Sequence, residues 1–171
     1  MKSEDLRALQ APLKASYREQ PARALVTLKA TGRVNEQALT CSIQTGRALL
    51  EAGLHPATGG DGLSLCSGDL LLESLVACAG VTLKAVATAL GIELIAASVH
   101  AEGDLDFRGT LGVAKDAPVG FLAIRLRFEL ETRESAESIQ KLIALTERYC
   151  VVYQTLRSSP TITVSTELSA R

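Results

Sequence analysis

Apolar residues recur at different periods along this chain, and the changes of period divide it into elements. Leu6, Leu9, Leu13 and Tyr17 stand at helical spacing behind Ser3, a good N-cap, and predict a helix over Ser3–Glu19 that Pro12 kinks or divides. Residues 1–22 then form an N-terminal arm packing on the main body. From Leu25 to Arg33 the period drops to two, with Leu25, Thr27 and Lys29 against Val26, Leu28 and Ala30. Gln37–Gln44 repeats the alternation, with Leu39, Cys41 and Ile43 on one face. The turn residues Gly32-Arg33-Val34-Asn35 between them make the pair a β-hairpin, and Gly46–Glu51 adds a short third strand.

The segment His55–Gly62 is a loop by composition. A glycine-rich loop cradles phosphate when it opens directly into a helix, but here several residues intervene and no lysine follows in the right place, so a plain loop is expected. Ser67–Leu90 is the strongest helix. Ser67 is the expected N-cap, Asp69 suits the positive helix end, Ala and Leu fill the interior, and Gly91 ends it. It is apolar nearly all round, which predicts burial. Glu93–Asp106 and Phe121–Glu131 read as strands, the second with Ile124, Leu126, Phe128 and Leu130 inward. Ser135–Tyr149 reads as a helix with Ile139, Leu142, Ile143 and Leu145 on its core side, and β-branched Thr161–Leu168 as a closing strand. This order predicts an α+β fold rather than a parallel βαβ repeat.

Composition narrows the function. A length of 171 residues with 47% hydrophobic and 22% charged residues fits one globular domain over 1–171. A net charge of −1 with scattered Lys and Arg gives no electrostatic support for nucleic-acid or membrane-surface binding. No apolar run follows the N-terminus, so no signal peptide is expected, and Leu70–Leu90, interrupted by Glu73 and Lys84, reads as a core helix. A cytoplasmic protein is the expectation. Its four cysteines would then be reduced; none forms a CxxC pair, and His55 and His100 stand outside any ligand-spaced cluster, so no metal site is expected.

The candidate chemistry lies in the cysteines. A buried cysteine is most often a small core residue, and Cys78 and Cys150 taken singly fit that description. Together, in separate central elements, they permit a thiolate and a resolving thiol: attack on a peroxide O–O bond gives a sulfenic acid, which condenses with the second thiol to a disulfide. Cys66 and Cys78 are twelve residues apart along one helix, roughly 17 Å, whereas a disulfide needs Cα atoms within about 7 Å. Cys66 therefore cannot resolve Cys78 within one chain. Cys41 is on a strand, and Cys150 is the partner that no local geometry excludes. A thiolate also needs a positive neighbour. Arg33, in the expected hairpin turn, and Arg47 are the cations nearest to loops that could reach. Asp69 or Glu73 could orient such an arginine, although Asp69 lies about 180° round the helix from Cys78.

At these residues the sequence resembles the OsmC/Ohr family, the osmotically induced and organic-hydroperoxide-resistance proteins. The likeness runs from about Leu25 to Leu168. It is carried by Ser67-Gly68-Asp69-Leu70-Leu71-Leu72-Glu73-Ser74-Leu75-Val76-Ala77-Cys78, by Ala144–Leu156 around Cys150, and by Gly103–Gly109 with Gly120-Phe121. The resemblance implies an OsmC/Ohr-like fold, two curved antiparallel sheets around central helices in an interwoven homodimer, with active sites at the subunit interface. It implies reduction of organic hydroperoxides without bound cofactor or metal, Cys78 as nucleophile, Cys150 as resolving thiol, Arg33 and Asp69 as supporting residues, and a lipoyl-type dithiol or lipoylated protein as reductant. The substrate pocket would be apolar, lined in part by Leu71, Leu75 and Val152. Val151 stands where the family usually has a proline, and Cys66-Ser67 where it often has Asn-Pro or Ser-Pro; the sequence is nearer the OsmC-like branch. The alternative is a non-enzymatic dimer on the same fold that binds a small molecule or senses redox state.

Overall fold

The computed structural model describes residues 2–20, 24–25, 32–34, 40–44, 49–112 and 114–168. The first helix, α1 (Ser3–Glu19), has the expected bounds and carries Pro12 inside; its cap is Lys2, one residue earlier, whose N–H donates to the Asp5 carboxylate at 3.1 Å. Three short strands follow, β1 (Gly32–Val34), β2 (Thr40–Gln44) and β3 (Leu49–Gly53), joined antiparallel. The register pairs Val34 with Cys41, so the hairpin turn lies beyond Val34. Gly32-Arg33-Val34, expected as turn, is strand: the pairing partners fix a hairpin's register, and turn-prone residues near a strand end do not. Residues 26–31, 35–39 and 45–48, on which the rest of the expected hairpin and Arg47 fall, lie outside the described residues, as do the side chains of Arg33 and Cys41.

The loop expected at His55–Gly62 holds one 3₁₀ turn, Pro56–Thr58, closed by Gly59 at φ 93°. Strand β4 (Leu65–Cys66) then runs parallel to β3. The first sheet is thus β1-β2-β3-β4 and mixed rather than purely antiparallel. The loop between β3 and β4 is long enough to return the chain to the same end of the sheet, which a tight hairpin cannot do.

Helix α2 (Ser67–Leu90) begins and ends where expected, with Gly91 as a left-handed cap at φ 73°, but its N-cap is Cys66 rather than Ser67. By length and composition it could cross a membrane. Here it packs against β5 (Ala96–Asp104), α4 (Ala136–Tyr149), α5 (Val151–Arg157) and α1. Its burial is one-sided, a correction to the expectation of burial all round. Leu75, Ala79, Leu83 and Ala87, four residues apart, form the buried stripe, while Val81 on another face is 73% exposed. A helix apolar on every side needs cover on every side, and the described residues supply it on one.

The second sheet is the antiparallel pair β5 and β6 (Ala123–Glu131), from Ala96 opposite Glu131 to Asp104 opposite Ala123. Ile124, Leu126, Phe128 and Leu130 turn to the helices as expected, and the intervening residues are exposed. Ser135 caps α4 by accepting the Ser138 N–H at 3.2 Å. The core side of α4 is Ile139, Leu142 and Ile143 with Thr146; Leu145 is only half-buried. Thr146 can be fully buried because its hydroxyl donates to the Leu142 carbonyl at 2.8 Å. The one-turn α3 (Phe107–Thr110) and the seven-residue α5 were not anticipated. Thr161–Leu168 is not a strand: it has no ladder partner among the described residues, and Val164 is 90% exposed. Its β-branched sequence suits a sheet, but a strand exists only where a neighbour pairs with it.

Candidate functional site

Two parts of the core meet at the cysteines. Leu75 and Ala79 of α2 form one buried cluster with Cys150, and Cys78, Val152, Tyr153 and Leu156 pack against it. Cys150 joins α4 to α5. Its backbone, at φ −74° and ψ 108°, leaves the helical region, so the chain changes direction there. The Cys150 N–H still closes α4 on the Thr146 carbonyl at 2.9 Å, and the Cys150 carbonyl accepts the first bond of α5 from Gln154 N–H at 3.0 Å. This leaves the amides of Val151 and Val152 without helical partners, and both are near enough to the Cys78 sulfur to favour its ionised form.

The environments of the two thiols differ in sign. Burial pushes the Cys78 thiol up. Four donors outweigh it: the Val152 N–H, the Cys150 thiol, the Val151 N–H and the Thr82 hydroxyl together hold Cys78 below the ordinary cysteine value. Cys150 is 1% exposed. Burial pushes it above the ordinary value; the Tyr153 N–H opposes this, and hydrogen bonding to Cys78 and the charge of its thiolate push it further up. Cys78 is therefore the more acidic thiol of the pair and Cys150 the less acidic one. Two like groups with separated acidities can take different roles in one reaction.

The sequence reading sought a cation for Cys78. Among the described residues the donors are backbone amides, a thiol and a hydroxyl, with no guanidinium. Arg33 belongs to β1, opposite Ser42. Asp69 and Glu73 do not act on Cys78; they line a shallow cleft with Leu72, Val76, Ala77 and Ala101, and Asp69 and Leu72 also border a second cleft at the start of α2. Cys66 stays a full α2 segment away from Cys78, as the spacing predicted. Val151, Val152 and Tyr153 were missed because backbone donors carry no side-chain signature. Thr82 had one: it stands four residues after Cys78, hence on the same helix face.

A cavity of about 550 Å³ abuts the cysteine cluster through Leu75, Tyr153 and Leu156, without either cysteine lining it. Leu75, Phe121, Ile124, Leu126, Phe128, Tyr153 and Leu156 line it, and Glu147 and Arg157 give it polar edges. That is the size and character of a small-molecule site. Of the pocket residues expected from sequence, Leu75 lines it; Val152 packs beside Cys78 instead, and Leu71 is exposed. Among the described residues no His, Cys, Asp and Glu group is arranged to hold a metal ion.

Comparison with known proteins places these observations. Solved structures share the fold. An OsmC-like protein from Mycoplasma pneumoniae superposes with a TM-score of 0.65 at 19% identity, covering 78% of this chain and 89% of that one. An organic hydroperoxide resistance protein OsmC from Legionella pneumophila gives 0.62 at 16% identity, with 78% and 93% covered. An organic hydroperoxide resistance protein from Elizabethkingia anophelis gives 0.63 at 17% identity, with 79% and 91% covered. At such identities the likeness establishes the α+β, OsmC/Ohr-like fold and nothing finer. No curated protein matches the sequence. Residues 59–165, which include α2, the β5–β6 pair, α4 and both cysteines, match the family described as OsmC-like protein, and the chain belongs to that family.

Proposed function

We propose that this protein is a two-cysteine, thiol-dependent peroxidase acting on organic hydroperoxides. The observation that carries the reading is the packing of Cys78 against the cluster that holds Cys150, with the amides of Val152 and Val151 making Cys78 the more acidic of the two thiols. The Cys78 thiolate attacks the terminal oxygen of the hydroperoxide. The O–O bond breaks, the sulfur becomes a sulfenic acid, and the leaving alkoxide takes a proton to depart as an alcohol. The Cys150 thiol then displaces hydroxide from the sulfenic sulfur, giving a disulfide and water. An external dithiol of lipoyl type, free or on a lipoylated protein, reduces the disulfide and is itself oxidised, so that no bound cofactor is used. The likeness to the organic hydroperoxide resistance proteins of Legionella and Elizabethkingia supports a peroxide substrate, and the Leu, Ile and Phe side chains that line the cavity next to the cysteine cluster support an organic one.

The working unit in this reading is a cytoplasmic homodimer. The uncovered face of α2 and the unpaired segment Thr161–Leu168 support it, since each has the composition of a buried element and no cover among the described residues. Steady-state turnover of cumene hydroperoxide with dihydrolipoamide tests the chemistry. Cys78→Ser abolishes it, and full turnover by that variant sinks the proposal. One observation favours a redox sensor on the same fold: no guanidinium acts on Cys78 among the described residues. A sensor would consume a single equivalent of peroxide and stop even with dithiol in excess.

A further inference from the structure

A second cleft, of about 370 Å³, opens at the start of α2. His55, Cys66, Gly68, Leu72, Gly103 and Phe107 are among the residues that line it. It has one lining residue in common with the 550 Å³ cavity next to the cysteine cluster: Phe121. The two spaces lie in series along one face of α2. Gly68 and Leu72 border the far cleft, and Leu75, one turn further on, borders the near cavity. On a helix these positions succeed one another at 3.6-residue spacing, and the next turn carries Cys78.

The Phe121 ring is held where it is. The Leu122 N–H donates to the Asp104 carbonyl at 2.8 Å, fixing the backbone beside the end of β5. The ring lies across Gly103, where any Cβ would collide with it, and a Cβ at Gly68 would be 3.5 Å from its edge. A glycine inside a strand marks such a close approach. Here it lets an aromatic ring stand as a wall between strand and helix.

We propose that Phe121 is the specificity-determining partition of the hydroperoxide pocket, closing the cavity that meets the cysteine cluster at Leu75, Tyr153 and Leu156 and so limiting the length of alkyl chain it accepts. The inference rests on the peroxidase reading for the identity of the substrate, whereas the wall itself rests on geometry alone. Removing the ring joins the far cleft to the near cavity. A long chain can then pass from Leu75 to Leu72, while a short one gains nothing.

Binding of non-reactive alcohol analogues tests this apart from turnover. The probes are 1-hexanol and the C18 hydroxy-fatty acid that corresponds to linoleic acid hydroperoxide, titrated by calorimetry into Cys78→Ser protein with Phe121 present or replaced. Phe121→Ala raises affinity for the C18 probe relative to hexanol by about tenfold, the effect of a few more buried methylenes. Phe121→Leu gives a smaller shift in the same direction and serves if the alanine variant is unstable. An unchanged ratio in a folded variant, or equal gains for both probes, overturns the proposal. A parent protein that turns over no hydroperoxide, combined with the expected shift in binding, sinks the peroxidase reading and leaves the partition standing.

Discussion

The amide of Val151 gives the most direct test of how Cys78 is activated. Val151 is the first residue of α5, and its N–H, free of the helix ladder, is one of the groups that lower the Cys78 pKa. Val151→Pro deletes that hydrogen and little else. The first helical position tolerates proline, the preceding Cys150 already has the extended ψ of 108° that a following proline requires, and the Val151 side chain is 69% exposed. A hydrogen bond to a charged acceptor is worth about 1.5–3 kcal/mol. Cys78 is only partly buried and keeps three other donors, so about 1 kcal/mol is the appropriate figure after screening. The thiolate is then less populated at neutral pH, by at most about fivefold. Each remaining thiolate is about twofold more nucleophilic, because nucleophilicity rises with basicity. The net loss at pH 7 is therefore at most about two- to threefold. The assay is the rate of Cys78 alkylation by iodoacetamide against pH, read peptide by peptide by mass spectrometry so that Cys41 and Cys66 do not contribute. The profile of Val151→Pro moves to higher pH, with thermal stability preserved. A profile superimposable on the parent's, in a variant that melts at the same temperature, refutes the account of activation by backbone amides.

The opposite shifts of the two thiols predict a second profile. Cys78 lies below the ordinary thiol value, so its alkylation reaches half-maximal rate at lower pH than in an unstructured reference peptide; Cys150 lies above it and stays unreactive through that window. Midpoints in the reverse order would contradict the assignment of nucleophile and resolving thiol. The uncovered α2 face and unpaired C-terminal segment predict a particle of twice the 18.1 kDa chain mass by light scattering. A monomer at micromolar concentration would leave those apolar surfaces unexplained.

Much of the architecture was legible in the sequence because it depends on periodicity. The bounds of α1 and α2, the cap at Gly91, the inward residues of β6 and the Ser135 cap all follow from local spacing and chemistry, which the fold leaves intact. The incompatibility of Cys66 with Cys78 followed for the same reason: the rise of a helix is a local constant. The errors occurred where the decision was not local. Thr161–Leu168 has strand composition and no strand, because pairing needs a neighbour. Leu145 lost its core place to Thr146 because a hydroxyl that bonds its own helix can be buried without cost in unmet hydrogen bonds. Gly32-Arg33-Val34 became strand because the partner at Cys41–Ile43 set the register.

The candidate site divides along the same line. The sequence by itself determined which residues could carry thiol chemistry, since sulfur is a property of residue type. It also determined that Cys78 lies mid-helix, beyond the reach of its own helix N-terminus. Only the tertiary structure decided that Cys78 packs against the cluster that holds Cys150, and that the groups raising its acidity include the amides opening a seven-residue helix. Every residue except proline has an N–H, so composition cannot mark the one that is left without a partner; only the path of the chain through Cys150, bending α4 into α5, frees two of them and brings them near a particular sulfur.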